Sequence, residues 1–229
     1  MYYSKNHEGL VFIDRGFGNL EFSGSGIIRR EDTEVYNPPE ENWKERFTSL
    51  TMQDGITEIH EGVIEQFKGI RKLILPESLT RIDMTDALRA ILHANDVLVC
   101  ASFGSCGDRL ARDNGLRFQP ENIELGWYRD EVHDESTKLI LRFHEDGSMD
   151  LLYDIYTTGI SAGTSGGASL ERELPEEYYP GCTLEEFAGM FPARYYGQIM
   201  NNPAVKVFLE REAEHADRLK NEQKGEVCK

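Results

Sequence analysis

The sequence predicts an α+β protein with two domains: a stacked-repeat domain over residues 1–119, which forms a parallel sheet, and a small α+β domain over residues 120–229. Two observations lead to this prediction. A pattern of apolar residues recurs with an offset of 23 in the first half, and an antiparallel hairpin pattern followed by helix caps fills the second half. The length of 229 residues is compatible with one large domain or two small ones.

The repeat is seen when residues 50–59 are aligned with residues 73–82. The aligned apolar pairs are Leu50/Leu73, Met52/Leu75, Ile56/Leu79 and Ile59/Ile82. Two alternating apolar residues, a turn and a second apolar pair describe a short strand and a corner, which bury their apolar face only by stacking on the next copy. A third copy begins at Val97, so we expect strands near 50–52, 73–75 and 97–99 to be neighbours in one parallel sheet, with Leu50, Leu73 and Val97 in register.

The residues of this repeat carry a family resemblance. The stretch 59–82, with Leu73-Ile-Leu-Pro76 at its centre, resembles the BspA-like leucine-rich repeat. The preceding segment, with its polar loop and then Trp43 and Phe47, is similar to the segment before the first repeat of that family. Residues 105–118 resemble its C-terminal cap, a short helix closed by Asn114-Gly115 and a last strand. The resemblance covers residues 10–119 and implies a short capped leucine-rich-repeat solenoid.

The chain departs from the family pattern at three places. The Ala-Phe pair of the family is Val63-Ile64 in the first repeat and Asp86-Ala87 in the second, and its usual Cys is Phe67. The resemblance therefore carries the fold over to this chain but no ligand of the family.

The resemblance implies a non-catalytic scaffold, an adaptor that presents its sheet to a protein partner. Strand positions that alternate with the buried ones face outward, and they predict the binding residues Thr51, Gln53, Lys72, Ile74 and Leu98, with Cys100 on the same face. Ile74 and Leu98 form an apolar pair where solvent is expected, which indicates that something covers this face. The second half of the chain, a partner protein and the mate of a homodimer are the three alternatives.

Net charge and cysteine content exclude several classes of partner and cofactor. The 25 basic and 41 acidic residues give a net charge of −16, which repels nucleic acid and anionic membranes and favours a cationic partner. The four cysteines form no C-x-x-C pair and the six histidines no i, i+3 or i, i+4 pair, so we expect reduced thiols, no zinc and no other cofactor. We expect a cytoplasmic protein, or a secreted one if a signal peptide has been removed.

In the second half, apolar alternation over 137–143 and 149–156, separated by Asp146-Gly147, predicts a β-hairpin. Trp127 and Tyr128 are expected in an earlier strand of the same sheet. Thr183 to Glu186 forms a capping-box pattern that opens a short helix. Asn202-Pro203 predicts the start of a longer helix with Val205, Phe208 and Leu209 on its apolar stripe.

The alternative function is a small enzyme, with hydrolase activity as the candidate, whose site lies near the Gly/Ser-rich loop 159–168. Two G-x-S-x-G matches there, centred on Ser161 and Ser165, have the pattern of a nucleophile elbow. The only later histidine is His215, and the half-chain is too short for a hydrolase sheet, so the pattern favours a flexible loop.

Two further patterns, a carboxylate cluster and two tyrosine pairs, favour a structural role over a binding role. Carboxylates at Glu145, Asp146 and Asp150 miss the spacing of an EF-hand, which favours a solvated hairpin tip over a calcium site. The pairs Tyr178-Tyr179 and Tyr195-Tyr196 have the chemistry to stack on a sugar ring, but their spacing favours packing against the hairpin.

Overall fold

The computed structural model describes residues 1–130, 135–143, 149–158, 165–173, 183–189, 193, 196–210 and 213. The chain forms two compact units, Met1–Glu121 and Asn122–Lys229. It is a mixed α/β protein whose largest sheet is mainly parallel.

The first unit contains ten strands, two α-helices and three short 3₁₀ turns. The strands are Tyr2–Tyr3 (β1), Val11–Gly16 (β2), Asn19–Ser23 (β3), Gly26–Ile28 (β4), Ser49–Met52 (β5), Ile56–Ile59 (β6), Lys72–Ile74 (β7), Arg81–Ile82 (β8), Leu98–Ala101 (β9) and Arg117–Pro120 (β10). The helices are Asp86–Ala94 (α1) and Cys106–Asn114 (α2), and the 3₁₀ turns are Arg30–Thr33, Trp43–Arg46 and Ile64–Gln66.

The largest sheet has the order β1-β2-β3-β5-β7-β9-β10. Its strands are antiparallel up to β3 and parallel from β3 to β10. The prediction of three neighbouring parallel strands is confirmed, and Leu50 pairs with Leu73. The register predicted for Val97 is wrong by two residues, because Val99 is the partner of Leu73. Val97 donates its N–H to the carbonyl of Leu92 at 3.0 Å and so belongs to the end of α1, which is inserted before this strand.

A second, smaller parallel sheet has the order β4-β6-β8. A unit of one strand in the large sheet, a corner and one strand in the small sheet therefore occurs three times along the chain, as β3–β4, β5–β6 and β7–β8. The corners are hydrogen-bonded to one another. Gly26 N–H donates to the carbonyl of Gly55 at 2.8 Å, and Gly55 N–H donates to Ser78 Oγ at 3.0 Å. Gly55 has a φ of +102°, a conformation that favours glycine.

The core of the first unit draws buried side chains from both sheets, among them Leu50, Leu73, Ile56 and Ile59. An aromatic cluster closes it near the N-terminus: Phe12, Phe22, Trp43, Phe47 and Phe67 are all buried. Their rings meet edge to face, as aromatic pairs prefer.

Helix α1 is the element that the sequence analysis missed. Thr85 caps it by accepting a hydrogen bond from the N–H of Leu88 at 3.0 Å, and Leu88 and Leu92 are buried one turn apart. The cap and this spacing were visible in the sequence as a helix signal, but the repeat alignment ran through the same residues. Helix α2 is confirmed: Ser105 caps its start and Gly115, at φ +61°, ends it.

The second unit contains an antiparallel sheet of four strands in chain order. They are Ile123–Asp130 (β11), Glu135–Phe143 (β12), Met149–Thr158 (β13) and Ser165–Glu173 (β14). The hairpin is confirmed, since Phe143 pairs with Met149 and Glu135 with Thr157, and Trp127 and Tyr128 lie in β11 as predicted. The hairpin tip 144–148, with the calcium candidates Glu145 and Asp146, lies outside the described residues.

Among the described residues that follow, three helical segments are present: Leu184–Gly189 (α3), Tyr196–Asn201 (α4) and 203–210 (α5). The capping box is confirmed, because Thr183 N–H donates to Glu186 Oε2 at 2.8 Å and Glu186 N–H to Thr183 Oγ1 at 3.2 Å. The predicted cap of α5 is confirmed by the bond from Ala204 N–H to Asn202 Oδ1 at 2.9 Å.

The apolar stripe of α5 is buried at Val205, Phe208 and Leu209. The ring of Phe208 packs against Phe143 at 5.4 Å and against Phe187 at 5.9 Å between centroids, which joins the sheet to the helices of this unit. Tyr196 is 43% exposed, whereas Tyr178, Tyr179 and Tyr195 lie outside the described residues.

Candidate binding surface

The outward positions of β3, β5, β7, β9 and β10 form one surface, which we call the strand face. At least one neighbour of each of these positions along its strand belongs to the core or packs against it, and successive side chains of a strand point to opposite faces. One row in register across the sheet is Glu21, Thr51, Ile74, Cys100 and Gln119. The next row is Ser49, Lys72, Leu98 and Arg117.

The structure brings four of the five predicted binding residues onto the strand face and corrects their pairing. Ile74 and Leu98 lie on the same face of adjacent strands as predicted, but Ile74 pairs with Cys100 and Leu98 with Lys72, so the two apolar residues are diagonal neighbours rather than directly opposite. Leu98 is only 4% exposed, so it is not an accessible binding residue. Thr51, Lys72 and Ile74 are half-buried and remain accessible.

The fifth predicted residue, Gln53, lies just after β5 and reaches a network that the sequence analysis missed. Glu21 is buried and holds the guanidinium of Arg15 in a two-pronged ion pair, with both N···O distances at 2.8 Å. Gln53 Nε2 donates to the same carboxylate. The hydrogen bond from Arg15 holds the pKa of Glu21 below its ordinary value, although burial acts in the opposite direction.

The Arg15–Glu21 pair predicts a pH-dependent stability. Because the pKa of Glu21 is lower in the folded chain than its unfolded value near 4.5, its charged form stabilises the fold above that pH and the contribution is lost as the pH falls. We expect Arg15→Met to lower the free energy of unfolding at pH 7, with a deficit relative to the wild type that shrinks towards pH 3. Urea titrations at several pH values measure it. Arg71→Met, at an exposed position, is the control, and a deficit that stays constant with pH would contradict the assignment.

A groove of about 630 Å³ lies at the end of the strand face where β5 and β7 finish. Its walls include Thr51, Gln53, Ile74 and Pro76, and its rim carries the exposed carboxylates of Asp54, Glu77 and Glu121. No lysine or arginine is among the described residues that line it. The groove therefore has polar and apolar walls, with the strand residues Thr51 and Ile74 at its floor, and an acidic rim.

Asp54 and Glu77 are separated by the 23-residue offset of the repeat, and they occupy equivalent positions in the turns that follow β5 and β7. Both carboxylates line the same groove, and like charges in one site repel one another. Glu121 is placed by the hydrogen bond from its N–H to the carbonyl of Ala101 at 3.1 Å, and its carboxylate accepts from Ser102 Oγ at 2.5 Å.

The structure corrects part of the predicted loop 159–168. Residues 165–168 begin β14, where Ser165 pairs with Thr158 and Gly167 with Tyr156. A nucleophile elbow is a sharp turn from strand into helix, whereas Ser165 opens a strand of nine residues. Ser161 lies outside the described residues. Within the described ranges no three His, Cys, Asp or Glu side chains converge as metal ligands, and Cys100 and Cys106 are not joined in a disulfide.

Comparison with protein-family models, with curated proteins and with solved structures finds no match for this chain. Among the helices that the structure describes, none has the length and apolar character to cross a membrane.

Proposed function

We propose that this chain is a non-catalytic protein-binding protein built on a short leucine-rich-repeat solenoid, and that it binds a basic, extended segment of a partner protein in the groove of the strand face. The repeated strand, corner and strand, with the glycine and serine corners hydrogen-bonded across copies, supports the solenoid. The groove, with its acidic rim, carries the binding proposal.

Charge complementarity is the reason for a basic segment. Asp54 and Glu77 are exposed, and neither forms an ion pair with another described residue. A lysine or arginine side chain placed between them relieves their repulsion and satisfies both carboxylates. The net charge of −16 also draws a cationic partner towards the chain over long distances.

The groove floor specifies the rest of the ligand. Ile74 is half-buried and offers an apolar contact to one side chain, and the neighbouring Pro76 is buried. In an extended peptide, alternate side chains point to opposite sides. A segment that alternates basic and apolar residues therefore presents a cation to the rim and an apolar side chain to the floor from adjacent positions.

The proposal is tested with a short fluorescent peptide that alternates lysine and leucine, titrated with the intact protein at low salt. We expect the double variant Asp54→Asn/Glu77→Gln to weaken binding by roughly 2- to 30-fold, since an exposed ion pair contributes about 0.2–1 kcal/mol. Ile74→Asn should weaken binding through loss of the floor contact. Fluorescence anisotropy gives the dissociation constants, and added salt should weaken binding by the wild type more than binding by the double variant.

Two controls distinguish binding in the groove from binding through the net negative charge of the protein. The double variant Asp113→Asn/Glu31→Gln removes the same charge from exposed positions that do not line the groove, and it should bind like the wild type. A peptide that alternates glutamate and leucine should not bind. Equal losses in the two double variants would show that the peptide binds only through net charge, and the groove assignment would be wrong.

A further inference from the structure

Lys44 occupies an unusual site in the first unit, on the 3₁₀ turn Trp43–Arg46. Its Nζ donates to Thr33 Oγ1 at 2.8 Å and to Gln66 Oε1 at 2.5 Å. Both acceptors are neutral, and they come from the other two 3₁₀ turns. Among the described residues, Lys44 forms no ion pair with a carboxylate, which is uncommon for a half-buried lysine.

The two acceptors are themselves held in place. The hydroxyl of Thr33 donates to the carbonyl of Arg30 at 2.8 Å, so its oxygen is left to accept from Lys44. The amide of Gln66 is oriented by the bond from Nε2 to the carbonyl of Gly62 at 2.7 Å, which directs Oε1 towards the amine. Lys44 Nζ is therefore held by a prearranged pair of oxygens and has few alternative positions.

Aromatic rings form the walls on the inner side. Lys44 Nζ lies 5.6 Å from the centre of the Trp43 ring and 5.9 Å from that of Phe67, and both rings are buried. They keep water from the amine on that side, while their faces attract a cation. On the other side the amine borders an open cavity of about 470 Å³.

Burial lowers the pKa of Lys44 to about 8, with Arg30 acting in the same direction and Glu34 opposing it. The other charged groups that line the cavity are Lys5, Glu41, Glu45 and Lys68. At neutral pH the uncharged fraction of an amine with this pKa is about 300 times that of a lysine with a pKa of 10.5. An uncharged amine at the wall of a cavity is a nucleophile.

We propose that Lys44 is a reversible imine-forming site for a small aldehyde that enters this cavity. The lone pair of neutral Nζ attacks the carbonyl carbon, and a proton moves from nitrogen to oxygen to give a carbinolamine. The carbinolamine loses water, and the imine that remains takes up a proton to become an iminium ion. No electrons enter or leave the site, and hydrolysis reverses each step.

The surroundings favour an aldehyde over carbon dioxide, another small electrophile that lysines capture. A carbamate would carry a negative charge into a cavity that three glutamates, Glu34, Glu41 and Glu45, line against two lysines, Lys5 and Lys68, so the balance of charge disfavours it. The iminium ion remains a cation, so it keeps the attraction of the Trp43 and Phe67 rings. It also retains one N–H, which Thr33 or Gln66 can accept.

The test is a labelling map of the intact protein. The protein is treated with butanal and sodium cyanoborohydride, which delivers hydride to the iminium carbon and leaves a stable secondary amine, and each lysine is quantified by peptide mass spectrometry. Cyanoborohydride is used in excess, so that imine formation limits the rate and the rate follows the uncharged fraction of each amine. We expect Lys44 to be labelled about ten times faster than Lys68 at pH 7.4, because the weaker nucleophilicity of a less basic amine offsets part of its larger uncharged fraction, and we expect the rate at Lys44 to be half-maximal near pH 8. Lys68 is exposed on the rim of the same cavity and serves as the control within the same molecule.

The wild-type map does not depend on the folding of any variant. Lys44→Arg should abolish the fast labelling, whereas Lys68→Arg should leave it unchanged. Equal labelling of Lys44 and Lys68, or a rate at Lys44 that rises only above pH 10, would overturn the proposal. In a further arm, the wild-type protein is preincubated in bicarbonate before butanal is added. Loss of butanal labelling at Lys44 in this arm would show that the site forms a carbamate instead, and the aldehyde proposal would be wrong. Peptide binding in the strand-face groove is independent of all these outcomes.

Discussion

Leu75→Ala is expected to lower the free energy of unfolding by about 2–5 kcal/mol, the range for a fully buried leucine. Leu75 is completely buried, and its backbone N–H donates to the carbonyl of Cys100 at 2.9 Å. Its side chain faces Gly107 of α2, which has no side chain to move into the space that the substitution leaves. The cavity should persist, so the cost should lie in the upper part of that range. Urea denaturation monitored by tryptophan fluorescence measures the loss.

Ile74→Ala is the matched control for this prediction. This variant removes a comparable apolar side chain from the adjacent position. Because Ile74 is half-buried on the strand face, the loss in free energy of unfolding should be roughly half that of Leu75→Ala or less. If the two variants lose the same stability, or if Leu75→Ala loses under about 1 kcal/mol, the assignment of inward and outward faces from the repeat is incorrect.

Gly107→Ala is expected to destabilise the protein by about 1–3 kcal/mol, the cost of overpacking a core. At an exposed position inside a helix, the same substitution normally raises the free energy of unfolding by about 0.5–1 kcal/mol. Here a Cβ on residue 107 would lie 2.6 Å from Cβ of Ala101 and 3.1 Å from Cδ1 of Leu75. The Leu75 side chain can rotate, but Cβ of Ala101 is fixed to the backbone of β9, so α2 must move away from the sheet.

The control for Gly107 is Gly197→Ala in α4, where an added Cβ meets nothing within 4 Å. This variant should be neutral or slightly stabilising, so the two glycine substitutions should differ in sign. The double variant Ala101→Gly/Gly107→Ala removes the closest contact and should recover part of the loss. A stabilising effect of Gly107→Ala would show that α2 does not pack closely on β9.

Much of the first sheet was predictable because its signal is local and repeated. Leu50 and Leu73 pair as their common offset requires, and the caps at Ser105 and Thr183 act on residues within one turn. The register of β9 was not predictable in this way. It depends on how far the inserted helix α1 carries the chain, and a two-residue shift places Leu98 diagonal to Ile74 rather than directly opposite it without changing the apolar pattern.

The residues of the candidate sites were likewise only partly predictable from the sequence. Alternation along the strands identified Thr51, Lys72 and Ile74, and the same offset relates Asp54 to Glu77, although the sequence analysis did not use it. The position of Glu121 in the groove follows only from the parallel pairing of β10 with β9. Likewise, residues 165–168 are strand because β13 supplies hydrogen-bond partners for a glycine-rich segment with little strand propensity of its own.

The stacking of the parallel strands, their buried faces, the helix caps at Ser105 and Thr183 and the acidic character of the chain can all be predicted from the amino-acid sequence. These follow from periodicity, from composition and from bonds between residues close in sequence. The ion pair of Arg15 with Glu21 and the position of Lys44 between Thr33 and Gln66 depend instead on tertiary packing. Those contacts join side chains from separate turns and strands, and their distances are set by how the elements pack, which no local pattern records.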